Sequence, residues 1–295
     1  MSLRILPALL LMVIAPPVTA QENASLAKSL IATYQGWRQA VVRKDARQWQ
    51  MLTAKHRQVQ IRNRIISEKQ PFPAAVFDLP APPPALAGLK TIHVSQRGAT
   101  AKLAFYGKID FGVGGKPTEN IMVISYTNES GRWKYDKADF VNLSALPDVR
   151  KELAAGNLKY VRETPEFQAT GVVPPVPIAV NAAKYIAKVY VFCPGREVKV
   201  EVNRISKHSF KDAKEAEIVY GGAKDGRNEV FFTAKPLPGS TGKEAFAVRV
   251  YLLSEIPGTK PLKAFEYKVD EGGAVKGMGR GSFNLDAEIA KKLSR

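Results

Sequence analysis

The chain has 295 residues, 45% of them hydrophobic and 24% charged, values of a globular protein that exclude wholesale disorder and a polytopic membrane protein. Its formal charge of +17 favours anionic partners such as polysaccharide, lipid head groups, cell-wall polymer or nucleic acid. A single cysteine, Cys193, excludes an internal disulfide, so stability has to come from packed cores.

Residues 1–20 read as a cleavable secretory signal peptide: Arg4 near the start, an apolar run of about ten residues, and the small-residue end Val18-Thr19-Ala20. The run is too short to span a bilayer, and Pro16-Pro17 oppose a longer helix. The expected mature protein begins at Gln21, is secreted or periplasmic, and keeps about 275 residues, enough for two domains. The residue immediately after the cleavage point is Gln21 and not a cysteine, which argues against a lipid-anchored protein.

From Ala24 to Lys69 the pattern is helical. Leu26, Leu30, Tyr34, Trp37 and Val41 share one face, and Asp45 opens a second helix with the stripe Trp49, Leu52, His56, Val59, Asn63, Ile66. Pro71 and Pro73 end it, and a proline-rich connector runs from Pro80 to Pro84. The period then changes to two. Thr91–Gln96 and Ala99–Ile109 flank a turn at Arg97-Gly98, and Asn120–Thr127 and Arg132–Leu143 flank one at 128–131. A short helix over Pro147–Ala155 closes an α+β domain of residues 24–156, in which the helices pack on a curved antiparallel sheet. Residues 157–178 read as a proline-rich linker. Residues 179–295 read as an all-β sandwich, with strands at Lys184–Phe192, Glu197–Val202, Ala216–Tyr220, Glu229–Ala234, Phe246–Leu253 and Leu262–Val269, and a last helix at Asp286–Leu293. The glycines 272–273 and 277–281 read as a flexible connection, because they do not join a strand to a long helix as a phosphate cradle does.

Tyr34-x-x-Trp37, Lys44-Asp45-Ala46-x-x-Trp49-x-x-Leu52 and Gly131-Arg132-Trp133-Lys134-Tyr135 with Phe140 resemble the nuclear-transport-factor-type, polyketide-cyclase-like cone superfamily. The resemblance covers residues 24–145 and implies a cone that houses either an enzyme pocket (isomerase, dehydratase, cyclase) or a non-catalytic binding or scaffold module. The second domain resembles a generic immunoglobulin-like β-sandwich, without the cysteine pair and core tryptophan of antibody domains.

His56 and Asn63 lie on the inward stripe and, in a cone, would hold a polar ligand together with Tyr135, or move a proton. The resemblance sets a carboxylate against such a histidine. Asp110 and Asp139 are the strand carboxylates, and Asp139 is preferred because strict alternation puts it on the face of Trp133 and Tyr135. No metal-ligand spacing and no nucleophile elbow is present, and no cofactor is expected. Ten basic residues against Asp45 and Glu68 lie between Ala24 and Lys69, and Arg43, Arg47, Arg57 and Arg64 on solvent faces are candidates for anion binding. The expected partners are an anionic envelope polymer, a membrane surface or a protein. Nucleic acid is a poor partner outside the cytoplasm. The reading is an exported, non-enzymatic binding or scaffold protein of the cell envelope; the alternative is a cone enzyme with His56 and Asp139 as acid and base.

Overall fold

The computed structural model describes residues 18–112 and 114–293. The expected signal peptide lies outside the described residues, except for Val18 to Ala20, which open the first helix. The chain is mixed α+β. Among the described residues it has six α-helices and twelve strands, the strands pairing antiparallel in three four-stranded sheets. No helix among them is long and apolar enough to cross a membrane. Two compact units form: residues up to Ala40 with Pro83–Val173, and Val41–Pro82 with the chain from Pro174 onward.

In the first unit α1 (Val18–Val42) buries Leu30, Tyr34, Trp37 and Ala40 at helical spacing. Strands β1 (Lys90–Arg97), β2 (Thr100–Ile109), β3 (Thr118–Glu129) and β4 (Arg132–Asn142) form a sheet in sequence order. Ser130 and Gly131 both have positive φ, as a type I′ hairpin between β3 and β4 requires. β3 is buried on both faces from Asn120 to Thr127, so it reads as a continuous apolar run rather than an alternation. One face holds Leu103, Phe105, Met122 and Ile124. The other packs Ala104, Ile121 and Val123 against Leu143, Leu153, Val161 and Phe167.

Those last residues come from the 3-10 turn Leu143–Ala145, α4 (Pro147–Ala154), α5 (Lys159–Glu163) and the 3-10 turn Pro165–Phe167. Half of the expected linker is therefore packed chain. Gln168 meets His93 at 3.1 Å, the Ala169 amide donates to Ser95 Oγ at 2.9 Å, and the Gly171 amide donates to Thr100 Oγ1 at 2.8 Å. From Gly171 to Val180 the chain has no helix or strand. Every third residue (171, 174, 177, 180) is shielded and the two between are exposed, the threefold repeat of an extended polyproline-type helix.

In the second unit α2 (Ala46–Leu52) and α3 (Lys55–Ser67) replace the single helix expected after Asp45. Asp45 caps α2 by accepting from the Gln48 amide at 3.0 Å. Thr53 ends it: amide and hydroxyl both donate to the Trp49 carbonyl, at 3.0 and 2.6 Å. Strands β5 (Ile186–Phe192), β6 (Arg196–Val202), β7 (Ser206–Lys211), β8 (Lys214–Ile218), β9 (Gly226–Pro236), β10 (Phe246–Leu253), β11 (Leu262–Val269) and β12 (Met278–Leu285) make two sheets, ordered β11-β10-β5-β8 and β12-β9-β6-β7. Val189, Val191, Phe246, Val248 and Val250 from one sheet share a single core with Val198, Val200, Phe210, Val230 and Phe232 from the other, an arrangement compatible with a β-sandwich. Gly272, Gly273 and Gly277 lie in the connection between β11 and β12, as expected, but Gly279 and Gly281 belong to β12 itself. Gly279 and Gly281 face inward, where a Cβ would meet the rings of Phe232 and Phe265 at 2.3 Å.

Candidate functional site

The inward polar face of α3 is tied to main chain of its own unit. Asn63 Nδ2 donates to the Ile178 carbonyl at 2.8 Å, and its Oδ1 accepts from the Val180 amide at 3.1 Å. One turn on, the Ser67 hydroxyl donates to the Asn63 carbonyl and accepts from the Gly221 amide at 2.8 Å. Arg62 donates to the Val180 carbonyl at 2.9 Å. Asn63 thus does for residues 178–180 what a neighbouring strand would do. His56, on the same face, is 1% exposed.

The parity argument for Asp139 fails at a β-bulge. Tyr126 opposes Tyr135 and Ser125 opposes Lys137, leaving Asp136 as the extra residue, so every later side chain of β4 changes face. Asp139 is half exposed and pairs with Lys137 at 2.7 Å. Tyr135, before the bulge, is buried and stacks on Trp37 with ring centroids 3.7 Å apart. Tyr34 lies 5.7 Å from Trp37 and donates its hydroxyl to the Pro84 carbonyl at 2.8 Å. Burial raises the Tyr34 and Tyr126 hydroxyl pKa values. Asp110 accepts from the Gly112 amide in an exposed turn.

Of the helical arginines, Arg43, Arg47 and Arg64 are exposed and Arg57 is half buried. Arg64 reaches Glu68 at 3.9 Å. The Tyr220 hydroxyl pKa is raised by burial and by Glu217, while Arg64 and Arg57 pull it down. Cys193 is buried, and its pKa is raised mainly by that burial, which leaves an inert thiol.

A more developed charged site lies on the outer face of the sheet β12-β9-β6-β7. Because Val200, Phe232 and their neighbours point into the core, the residues between them point out. Register aligns Lys207, Glu201, Phe231 and Arg280 across the four strands, with Ser209, Lys199, Thr233 and Met278 as the adjoining row. Three depressions run along this face. One of about 380 Å³ is lined by Lys199, Lys207, His208, Ser209, Phe231 and Thr233. It shares Glu201 and Phe231 with one of about 230 Å³ that adds Arg204, Glu229 and Arg280. That in turn shares Arg204 and Glu229 with a third of about 380 Å³ lined by Asn203, Lys224 and Arg227. The result is one trough with six cations, two carboxylates and an aromatic ring between two of its basins.

Its charges are loosely held. Glu201 lies 3.5 Å from Lys207, and Glu229 lies 3.7 Å from Arg204 and 3.8 Å from Arg227. The Arg280 guanidinium stands 5.9 Å above the Phe231 ring. The backbone beneath is held by side-chain hydrogen bonds. Asn203 and Arg204 both have positive φ, which is uncommon for arginine. Asn203 holds them there: its Oδ1 accepts from the Glu229 amide at 2.9 Å, and its Nδ2 donates to Asn228 Oδ1 at 2.9 Å. Asn228, wholly buried, is fixed in turn to Lys224. Asn203 and Arg204 form the tight turn between β6 and β7, closed by the Ile205 amide on the Val202 carbonyl at 3.2 Å.

His208, opposite Val200, lies on the inner face of β7 beneath the trough, against Phe210 and Tyr220. Burial lowers its pKa to about 4. Ser206 Oγ accepts from the Tyr220 amide at 2.8 Å and shares a hydrogen bond with His208 Nε2, 2.6 Å away, whose direction the imidazole tautomer sets. This Ser–His pair is structural, because Ser206 is 0% exposed and no substrate reaches it. Phe231 was legible as half of the pair Phe231-Phe232, one ring of which must face out of a strand. The rest of the trough needs the register of four strands. Compared with protein-family models, curated proteins and solved structures, the chain matches none of them.

Proposed function

We propose that this is an exported, non-enzymatic binding or scaffold protein of the cell envelope that recognises an anionic partner. The observation that carries the reading is the trough around Phe231, where six cations surround two carboxylates on one face of a sheet. Unit one is read as a cone-like scaffold and the β-rich unit as an immunoglobulin-like sandwich. The close packing of Tyr34, Trp37 and Tyr135 between α1 and β4 supports a filled scaffold over an enzyme pocket. The alternative, an enzyme with His56 and Asp139, loses its motive at the bulge in β4. The helical cations Arg43, Arg47, Arg57 and Arg64 are read as solvated surface rather than the anion site.

The test removes equal charge from two places. One variant carries Lys199→Gln, Arg204→Gln, Arg227→Gln and Arg280→Gln; the other carries Arg43→Gln, Arg47→Gln, Arg57→Gln and Arg64→Gln. On a dextran sulfate column the trough variant should elute at clearly lower salt than the helix variant, since localised contacts set the salt slope. Coincident elution would show that retention follows net charge alone and would remove the site.

A further inference from the structure

We propose that the ligand of the trough is an acidic oligosaccharide: a short chain of sugar rings bearing carboxylate groups. This deepens the anionic-partner reading and rests on it. Three features of the site select this chemistry together. The cations call for negative charge, and Arg204 and Arg280 offer the planar donor forks that match carboxylates. Glu201 and Glu229 face into the same space, and there they discriminate. A carboxylate accepts hydrogen bonds from hydroxyl groups, which sugars present on every ring. A phosphate polymer presents only acceptors along its charged backbone and would meet two like charges. An aliphatic or lipid chain would leave both glutamates without a donor.

The third feature is Phe231, which separates two of the basins and lines both. Its ring offers an apolar, electron-rich surface to the C–H face of a sugar. Length agrees as well. The trough follows β6 and its turn from Lys199 to Asn203, four residue steps of about 3.3 Å, roughly 13 Å, which exceeds one sugar ring and suits a short chain. The hydrogen bonds of Asn203 to Glu229 and Asn228 preorganise the far end, so little ordering is needed on binding.

The experiment is calorimetric titration of the full chain with three probes: a tetramer of galacturonic acid, a neutral tetramer of the same length, and inorganic polyphosphate. The acidic tetramer should bind, and the neutral one should bind at least about tenfold more weakly. Phe231→Ala should weaken the acidic tetramer about tenfold while the chain stays folded at the assay temperature, because the ring lies on the outer face of β9 and not in the core. The decisive pair is Glu201→Gln with Glu229→Gln. It should strengthen polyphosphate binding while leaving the acidic tetramer unchanged or weaker. Binding of polyphosphate without binding of the acidic tetramer would overturn the sugar assignment and leave the anionic-partner reading standing. Equal binding of the neutral tetramer, or indifference to Phe231→Ala, would also overturn the assignment. No binding of either anionic probe would remove both.

Discussion

The glycines of β12 provide a sharp test of the fold. A Cβ built on Gly279 falls 2.3 Å from Phe232 Cζ and 2.4 Å from its Cε1, well inside any real contact. Phe232 is 1% exposed and cannot swing away, because it packs on Tyr267 at 4.8 Å and on Phe246 at 5.8 Å between ring centroids. Gly279→Ala therefore overpacks a filled core, at a cost of about 1–3 kcal/mol. The same substitution recovers about 0.5–1 kcal/mol of strand propensity. The net expectation is a loss centred on about 1 kcal/mol and reaching about 2.5 kcal/mol, read as a melting point lowered by about 2–4 °C per kcal/mol for a unit of this size. Gly277 is the control, since its nearest neighbour would be the Ala234 carbonyl oxygen at 3.9 Å. Gly277→Ala should leave the transition within about 0.5 kcal/mol of wild type. Phe232→Leu, which removes the offending ring, should soften the Gly279→Ala penalty in a double-mutant cycle. Near-ultraviolet circular dichroism during thermal unfolding reads all four proteins. Equal, small effects at Gly277 and Gly279 would mean that this stretch is the flexible connection its composition suggests, and the packing argument would be wrong.

Asn63→Ala should destabilise by about 1–3 kcal/mol, because it orphans the Ile178 carbonyl and the Val180 amide; urea unfolding that matches wild type would contradict the docking of α3. His208 has a folded pKa of about 4 against about 6.5 unfolded, so the unfolded chain binds the extra proton between these values. Stability from this group is complete above pH 6.5 and falls as pH drops towards 4, by at most about 3 kcal/mol. His208→Gln should flatten that part of the urea stability–pH curve, and an unchanged slope would assign the dependence elsewhere. Limited proteolysis should nick between Val172 and Ala179, where Val172 is 70% and Ile178 76% exposed, before any cut at 157–170. Early cleavage near Asn157 would show that α5 and the turn after it are not packed.

The strands that sequence reveals are those whose inward positions are large and apolar and whose ends carry turn residues. β9, β10 and the hairpin of β3 and β4 satisfy both conditions. β7 does not, because two of its inward positions are Ser206 and His208, made acceptable in a core only by their bond to each other and to the Tyr220 amide. β12 hides for the opposite reason. Its first inward positions are Gly279 and Gly281, with only Phe283 and Leu285 apolar after them, and the volume the glycines leave is filled from other strands by Phe232 and Phe265. The break between α2 and α3 is equally silent, since neither Thr53 nor Ala54 is a helix breaker; a hydroxyl bonded to the Trp49 carbonyl ends the helix.

A polar residue on the inward face of a helix has one signature in sequence and two physical explanations. His56 and Asn63 sit at helical spacing among apolar neighbours, which fits a ligand pocket and equally fits main chain that needs partners. For Asn63 the partners lie 115 and 117 residues away, beyond any local pattern. Charge has the same ambiguity. The cluster of arginines in the helices stands out because it is contiguous in sequence, yet a solvated helix needs no more than that. The trough gathers Lys199, Arg204, Arg227 and Arg280 from separate stretches, each ordinary alone, and strand register brings them to one face. What separates a site from a surface is then not the count of charges but what opposes them. In the proposed reading Glu201 and Glu229, set among six cations, would give the surface a chemical preference rather than a mere sign.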